Sequence, residues 1–193
     1  MALTRLHNPL SQVIIRMIGD VGGPRADQVS NELNQIITAF NTTIGVYFAD
    51  VAVRQTGANT TETDFSTKTV LANTMAANGD LLLFFSRVAY AANGNNKRYR
   101  VYWDGNVIFD TTAQAFNGVN QFLIGVIYRE TSTVLSTVFG NIVGAAINPA
   151  VSVTAVSPTS FSVDKVLKTT GQNGTATAGD ITQAGVFMLK GSV

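Results

Sequence analysis

The sequence predicts a mainly β protein, an antiparallel, jelly-roll-like β-sandwich preceded by an N-terminal α-helical arm. Three observations lead to this class. In residues 70–110, apolar runs are interrupted by Asn-Gly, Gly-Asp and Asp-Gly pairs, which supply the positive φ angles of tight hairpin turns. Within that stretch, Tyr99, Val101 and Trp103 alternate with polar residues at the period of a β-strand. Residues 24–43 instead carry apolar residues at helical spacing.

Composition limits the classes of function. The chain has 193 residues, of which 46% are hydrophobic and only 13% charged, with a net charge of +1. This length holds one domain of ordinary size and an appendage. The low charge favours contact with other protein, and the scattered cations argue against a nucleic-acid partner. The absence of cysteine excludes disulfides, Cys-based metal sites and thiol catalysis.

Two local features receive structural interpretations. The densest group of cations is Lys97, Arg98 and Arg100, which we interpret as an exposed strand face. The uncharged segment 132–163 is long enough for a membrane helix, but glycine and proline interrupt it and Val, Thr and Ser dominate it. We therefore predict strands there and no membrane insertion.

The N-terminal arm is predicted to associate with a partner through one apolar stripe. Leu10, Val13, Ile14, Met17 and Ile18 predict a first, short helix by their spacing. A second helix, from about Pro24 to Thr43, is polar outside its stripe, so the stripe must be buried against the first helix, the sandwich or sister chains. Self-association and packing within the chain are equally compatible with the pattern. We predict an arm over residues 1–54, a linker over 55–66 and the sandwich over 67–193. The predicted oligomerisation and anchoring residues are Val29, Leu33, Ile36, Ile37, Phe40 and Ile44.

Strands follow at regular spacing in the predicted sandwich. The segment Gln121 to Tyr128 is apolar at nearly every position, which predicts a strand covered on both faces. The predicted strands are Thr67 to Ala72, Leu81 to Ala91, Arg98 to Trp103, Val107 to Asp110, Gln121 to Glu130, Val134 to Ala146, Val151 to Val156, Phe161 to Thr170 and Ile181 to Leu189.

No residue set is predicted to perform catalysis or to bind a metal or cofactor. The one histidine, His7, lies in the arm, which excludes a nucleophilic triad and the usual zinc ligands. Asp80, Asp104 and Asp180 each neighbour a glycine in a turn signal, where Asp bonds its own backbone. Glu62 and Asp64 could bind calcium, but two acids in a polar linker are usually solvated. Neither glycine-rich phosphate-loop pattern occurs.

The sandwich segment resembles a domain common in the virion proteins of tailed bacteriophages. The resemblance lies in L-A-N-T-M-A-A-N-G-D over residues 71–80, N-N-K-R-Y-R-V-Y-W-D-G-N-V-I-F-D over 95–110 and F-L-I-G-V-I-Y-R over 122–129. Trp103-Asp104-Gly105-Asn106 replaces the family's small glycine-rich tip. The arm is similar to phage-fibre N-termini at Ala26, Val29, Asn34, Ile37 and Phe40-Asn41. The resemblance implies a tail-fibre or head-decoration protein, usually homotrimeric and without enzymatic activity.

These observations together favour a virion protein that assembles in the host cytoplasm. The leading hypothesis is a fibre-like homotrimeric appendage, docked by its arm, with the sandwich projecting outward. The alternative is a head cement protein whose arm and residues 134–156 lie on the capsid. The third hypothesis is an enzyme or lectin for a host-surface glycan, using Tyr102 and Trp103; we expect Trp103 to be a core residue instead. The expected partners are sister copies, other virion proteins and, under the third hypothesis, the glycan.

Overall fold

The structure is a computed structural model that describes residues 44–143, 146–157 and 159–191. The stripe residues Val29, Leu33, Ile36, Ile37 and Phe40 lie outside these ranges. Within these ranges, every regular element is a β-strand, and the strand pairs β2–β11, β3–β10, β5–β10, β4–β11, β4–β7, β5–β6, β7–β8 and β8–β9 are antiparallel. The predicted mainly β, antiparallel class is therefore confirmed. Among the same residues, no helix is long and apolar enough to cross a membrane.

The described strands form two sheets. A large, seven-stranded sheet has the order β1-β11-β4-β7-β8-β9, with β2 also paired to β11, and a small, four-stranded sheet has the order β3-β10-β5-β6. The strands are β1 (Ile44–Asp50), β2 (Arg54–Gln55), β3 (Thr63–Val70), β4 (Leu81–Tyr90), β5 (Lys97–Trp103), β6 (Asn106–Asp110), β7 (Asn120–Arg129), β8 (Leu135–Val143), β9 (Ala146–Val156), β10 (Lys165–Asn173) and β11 (Ile181–Gly191).

The strand order agrees with the predicted jelly-roll-like sandwich. Strands β1, β11, β4 and β7 in the large sheet and β3, β10, β5 and β6 in the small sheet have the order of an eight-stranded jelly roll, whose two Greek keys are divided between two sheets. Strands β8 and β9 extend the large sheet beyond β7 as a meander. This extension was not predicted, because turn signals in a sequence show where a strand ends, but not which strand it will pair with.

The N-terminal boundary of the sandwich also differs from the prediction. Strands β1 and β2 pair with β11, so residues 44–55 contribute to the large sheet instead of the arm. Ile44, predicted as part of the helical stripe, is the first residue of β1. Strand β3 begins at Thr63, inside the predicted linker. Strand β1 contains the strand-forming residues Val46, Tyr47 and Phe48, whereas Thr63 and Asp64 belong to a polar stretch that enters the sheet by pairing with β10.

Two further strand limits changed. The predicted strand Phe161 to Thr170 begins only at Lys165, because residues 161–164 form a loop whose Phe161 is buried beneath the guanidinium of Arg129, 4.8 Å from the ring centroid. Strand β8 ends at Val143 rather than continuing to Ala146, and β9 begins at that alanine.

The hydrophobic core lies between the facing sides of the two sheets. The alternation in β5 places Tyr99, Val101 and Trp103 inward, and Trp103 is only 1% exposed, so its predicted core position is confirmed. The rings of Phe109 on β6 and Phe139 on β8 pack across the interface with centroids 5.4 Å apart. The two sheets therefore stabilise each other by burying one apolar face of each.

A buried polar cluster joins the two sheets within this core. The hydroxyl of Tyr99 on β5 lies 2.8 Å from the hydroxyl of Ser86 on β4 and donates to Oε1 of Gln183 on β11 at 3.0 Å. The hydroxyl of Thr169 on β10 donates to the same oxygen at 2.7 Å. Buried polar groups must find partners, and here the partners lie on opposite sheets, so the cluster favours one alignment of the sheets.

The Asp104-Gly105 turn between β5 and β6 has the conformation that the sequence predicts. Both residues have positive φ, +49° and +83°. Positive φ at both central residues is typical of a type I′ turn, whose twist matches that of the flanking strands.

Gly125 on β7 provides the space for Phe139, and we predict that Gly125→Ala destabilises the fold. A Cβ at residue 125 would lie 2.3 Å from the Phe139 ring, which must then move within the packed core. The free energy of unfolding should fall by about 1–3 kcal/mol in urea denaturation. Gly140→Ala on β8 is the matched control, since its Cβ meets nothing closer than 3.9 Å. Equal effects of the two substitutions would contradict this packing.

Candidate functional site, the outer faces of the two sheets

The outer face of the large sheet is almost entirely apolar. We define the apolar face as four rows of four outward positions on β11, β4, β7 and β8, and one of these sixteen positions, Arg87, is charged. In antiparallel sheets the solvated face is normally polar, so this face is unusual. From β11 to β8, the four rows are Gly191, Leu81, Tyr128, Ser136; Leu189, Leu83, Val126, Val138; Phe187, Phe85, Ile124, Gly140; and Gly185, Arg87, Phe122, Ile142.

Several side chains on the apolar face remain open to solvent within the described residues. Phe122 is 47% exposed and Ile124 is 41% exposed, although both belong to a strand in the middle of the sheet. Strand β7 was predicted to be covered on both faces. Within the described residues, only its inner face is covered. Contiguous exposed apolar surface of this kind typically marks a site of protein contact.

A shallow groove of about 200 Å³ crosses the apolar face beside β1. Its floor includes Phe85 and Phe187, whose ring centroids are 5.9 Å apart, and Phe122 lies at its side. Asp50 and Arg87 are the charged residues in its lining. The groove can accept an apolar side chain from a partner.

The two charged residues of the groove differ in their pairing. The Asp50 carboxylate accepts hydrogen bonds from Arg54 at 2.6 Å and from the Ser66 hydroxyl at 2.9 Å. Arg87 forms no salt bridge with any residue that the structure describes. Asp50 is therefore already engaged in the fold, whereas the guanidinium of Arg87 is available to a partner.

The outer face of the small sheet is, in contrast, covered by a polar network. Arg100 on β5 contacts Glu62 at 2.8 Å and Asp110 at 3.6 Å. Arg98 binds the same Asp110 through two guanidinium nitrogens, and the hydroxyl of Tyr102 donates to Glu62 at 2.7 Å. The cations predicted to lie on an outward strand face do so at Arg98 and Arg100, but they are paired instead of freely solvated.

Lysines complete the network on the small sheet. Lys168 on β10 contacts Asp64 at 3.0 Å, and its ammonium also lies 5.3 Å from the Tyr102 ring centroid. Lys165 contacts Asp104 at 2.7 Å. The carboxylates of Glu62 and Asp64, which the sequence allowed as calcium ligands, thus face arginine and lysine. This face is suited to water and presents no continuous apolar surface.

The network lowers the pKa of two of its carboxyl groups, those of Glu62 and Asp110. Burial alone would raise the pKa of Glu62, but hydrogen bonds from Thr170, Tyr102 and Arg100 outweigh burial and hold that pKa below its usual value. The pKa of Asp110 is also lowered, because its bonds to Arg98 and the Thr112 amide outweigh burial. A glycosidase pair needs one carboxylic acid with a raised pKa, so this pair does not fit that chemistry.

Lys97 departs from the prediction that it lies on an exposed strand face. It is 0% exposed, because the alternation of β5 points it to the same side as Tyr99 and Val101. Its ammonium lies within 3.1 Å of four oxygens, namely the carbonyls of Asn93, Asn95 and Phe116 and the side-chain oxygen of Asn93. The cation thus holds the loop before β5 in place.

A buried carboxylate secures the same loop. Asp180, also fully buried, accepts hydrogen bonds from the side-chain amides of Asn93 at 2.6 Å and Asn95 at 2.9 Å. Burial lowers the pKa of Lys97, and the Asp180 charge raises it in part. The repeated asparagines of N-G-N-N-K, interpreted from sequence only as a turn, therefore join the β4–β5 and β10–β11 loops.

The predicted site residues fall in different places. The stripe from Val29 to Phe40 lies outside the described residues, and Ile44 belongs to β1. Trp103 is in the core, and Tyr102 lies half-buried in the polar network. The apolar face was predicted only at β7, as a strand covered on both faces. The same signal, apolar residues at both odd and even positions of one strand, is also present in β4.

Among the residues that the structure describes, no group of three His, Cys, Asp or Glu side chains could hold a metal ion. The described part of the chain therefore contains two candidate surfaces for function: a polar face whose charges are paired, and an apolar face that is open.

Comparisons with known proteins do not establish a family. No protein-family model matches the chain, and no curated protein matches it. Similar solved structures include the CBM2 module of the evolved Dit of Lactobacillus casei BL23 phage J-1, with 10% identity over 66% of this chain and 69% of that chain and a TM-score of 0.31. They also include a protein of unknown function from Shewanella oneidensis MR-1, with 9% identity over 78% of this chain and 75% of that chain and a TM-score of 0.34.

Removing the buried ammonium should destabilise the protein far more than removing a surface one. Lys97→Met leaves several buried oxygens without a donor and Asp180 without a nearby cation, which should cost about 3–5 kcal/mol of unfolding free energy. Lys168→Met is the control and should cost less than about 1 kcal/mol, as is usual for a partly exposed ion pair. Urea denaturation measures both, and similar losses would contradict the structural role of Lys97.

The lowered carboxyl pKa values predict a loss of stability in acid. A carboxyl with a lower pKa in the folded state stabilises the fold above its unfolded pKa of about 4, and that stabilisation disappears as the pH falls through the folded pKa. Glu62 and Asp110 both behave this way. Unfolding free energy should decline below about pH 4, and Glu62→Gln should make the decline shallower. An unchanged slope in Glu62→Gln would show that this carboxyl is not part of the stabilising network.

Proposed function

We propose that the protein is a non-enzymatic structural component of a tailed-bacteriophage virion and that it acts through protein–protein contact. The observation that carries this proposal is the apolar face, which has one charge in sixteen positions and which the described part of the chain leaves open. A freely diffusing protein would normally place polar residues there. The resemblance of residues 71–80, 95–110 and 122–129 to domains of tailed-phage virion proteins supports a virion as the assembly.

The finer form of the proposal is a homotrimeric, fibre-like appendage. The predicted arm docks it to the particle, and the β-sheet body projects outward to the host surface. The ionised, paired carboxylates of the small sheet support a structural role over a hydrolytic one. The capsid-decoration alternative uses the same chemistry, because a cement protein also functions by covering apolar surface between subunits.

Localisation on purified particles tests this function. Gold-labelled antibody against the protein should mark intact virions, and reconstruction of the particles should give its position. A few copies at the tail are expected for the fibre, and many copies over the head would establish the decoration alternative. Absence of the protein from purified particles, with the free protein in the lysate, would contradict both. A panel of host polysaccharides should remain uncleaved, and specific cleavage would overturn the non-enzymatic assignment.

A further inference from the structure

We propose that the apolar face of one copy of this chain is covered by the apolar face of a second copy. This inference deepens the proposed function, on which it rests for the idea that the protein assembles. A contact between two identical faces is two-fold, so it pairs copies that belong to different homotrimers. It names the contact surface and its occupant. The contact would bury Phe85, Phe122, Ile124 and Phe187, which the face leaves partly or largely open.

Among the surfaces that the structure describes, charge favours the apolar face of a second copy as the occupant. A partner for this face must offer apolar area with almost no charge, since an unpaired charge buried against it would be costly. The apolar face itself meets that requirement, and the small sheet does not, because its outer face carries Glu62, Asp64, Arg98, Arg100 and Lys168.

The position of Arg87 permits this contact. The residue lies in the last row of the apolar face, three residues before the end of β4 at Tyr90. Its aliphatic stem can pack against the neighbouring copy while the guanidinium reaches water at the margin. The two rows in the middle of the face, which contain Leu83 and Phe85, carry no charge.

The available area is sufficient for a specific contact. Four strands about 4.8 Å apart, with four outward rows about 6.8 Å apart, give a flat patch of roughly 500 Å² per copy. Two such flat patches bury roughly 1,000 Å² in total, which is the lower limit for a specific interface. Side chains that project from the patches add to this area. Two sheets that pack face to face lie about 10 Å apart, the same spacing that side chains fill inside a sandwich.

The surface relief is also self-complementary. Phe122 and Ile124 project from β7, whereas Gly140 on β8 leaves a low point beside Ile124. The groove of about 200 Å³ near Phe187 offers a second depression for a side chain of the neighbouring copy. One face therefore contains both the projections and the hollows that a symmetric contact requires.

Cross-linking through single cysteines tests this contact in the full chain. The natural sequence has no cysteine, so each variant carries one thiol. Ile124→Cys places it on the apolar face, and Val166→Cys places it on the outer side of the small sheet. The two sites are matched, with Ile124 41% and Val166 40% exposed. A bismaleimide that spans about 10 Å, the sheet-to-sheet distance, is added to each variant at equal concentration.

The proposal predicts a two-chain band on a denaturing gel for Ile124→Cys and little or none for Val166→Cys. A second change on the same face, Phe85→Glu, should remove the band from the Ile124→Cys variant, and circular dichroism should show an unchanged β spectrum. Equal cross-linking of the two single-cysteine variants, or none in either, would overturn the proposal. So would a band that survives Phe85→Glu.

This result is separable from the test of function. If the cross-link forms and the protein is absent from particles, the face-to-face contact stands and the virion role is wrong. If the protein is on particles and the cross-link does not form, the virion role stands and the apolar face contacts something other than a second copy.

Discussion

The central strands of the large sheet are apolar on both sides, and this constrains the rest of the molecule. In β7 the alternation sends Leu123 and Ile127 into the core, where both are fully buried, and sends Phe122 and Ile124 outward. Among the residues that the structure describes, the small sheet covers the first side only. A strand of this composition is stabilised in water when a second layer covers its other side, so we expect such a layer over the outer face of the sheet.

The distribution of charge follows the same division. The outer face of the small sheet concentrates ion pairs around Arg100, and the buried Lys97 and Asp180 are satisfied by the loops that surround them. Charges thus stabilise the loops at one end of the fold and the face that meets water. Apart from Arg87 they avoid the apolar face, which is the pattern expected of a protein whose two outer surfaces have different neighbours.

The sequence predicted the local features of this fold better than its long-range ones. Alternation in β5 correctly placed Tyr99 and Trp103 inside, and the Asp104-Gly105 pair correctly marked a hairpin, because both depend on neighbouring residues only. The pairing of β1 with β11 and the cage around Lys97 bring together segments that are distant in the chain. Periodicity shows which residues share a face, but it does not show which segment covers that face.

Side-chain footprinting of the full-length protein by hydroxyl radicals and mass spectrometry tests the central claim most directly. In a single chain with the outer face open, Phe122 and Ile124 should react at least as readily as Val166, which has similar exposure. A second layer over the outer face predicts instead that both residues of β7 are protected while Val166 is modified. Modification of Phe122 and Ile124 at the rate of an exposed side chain would contradict it.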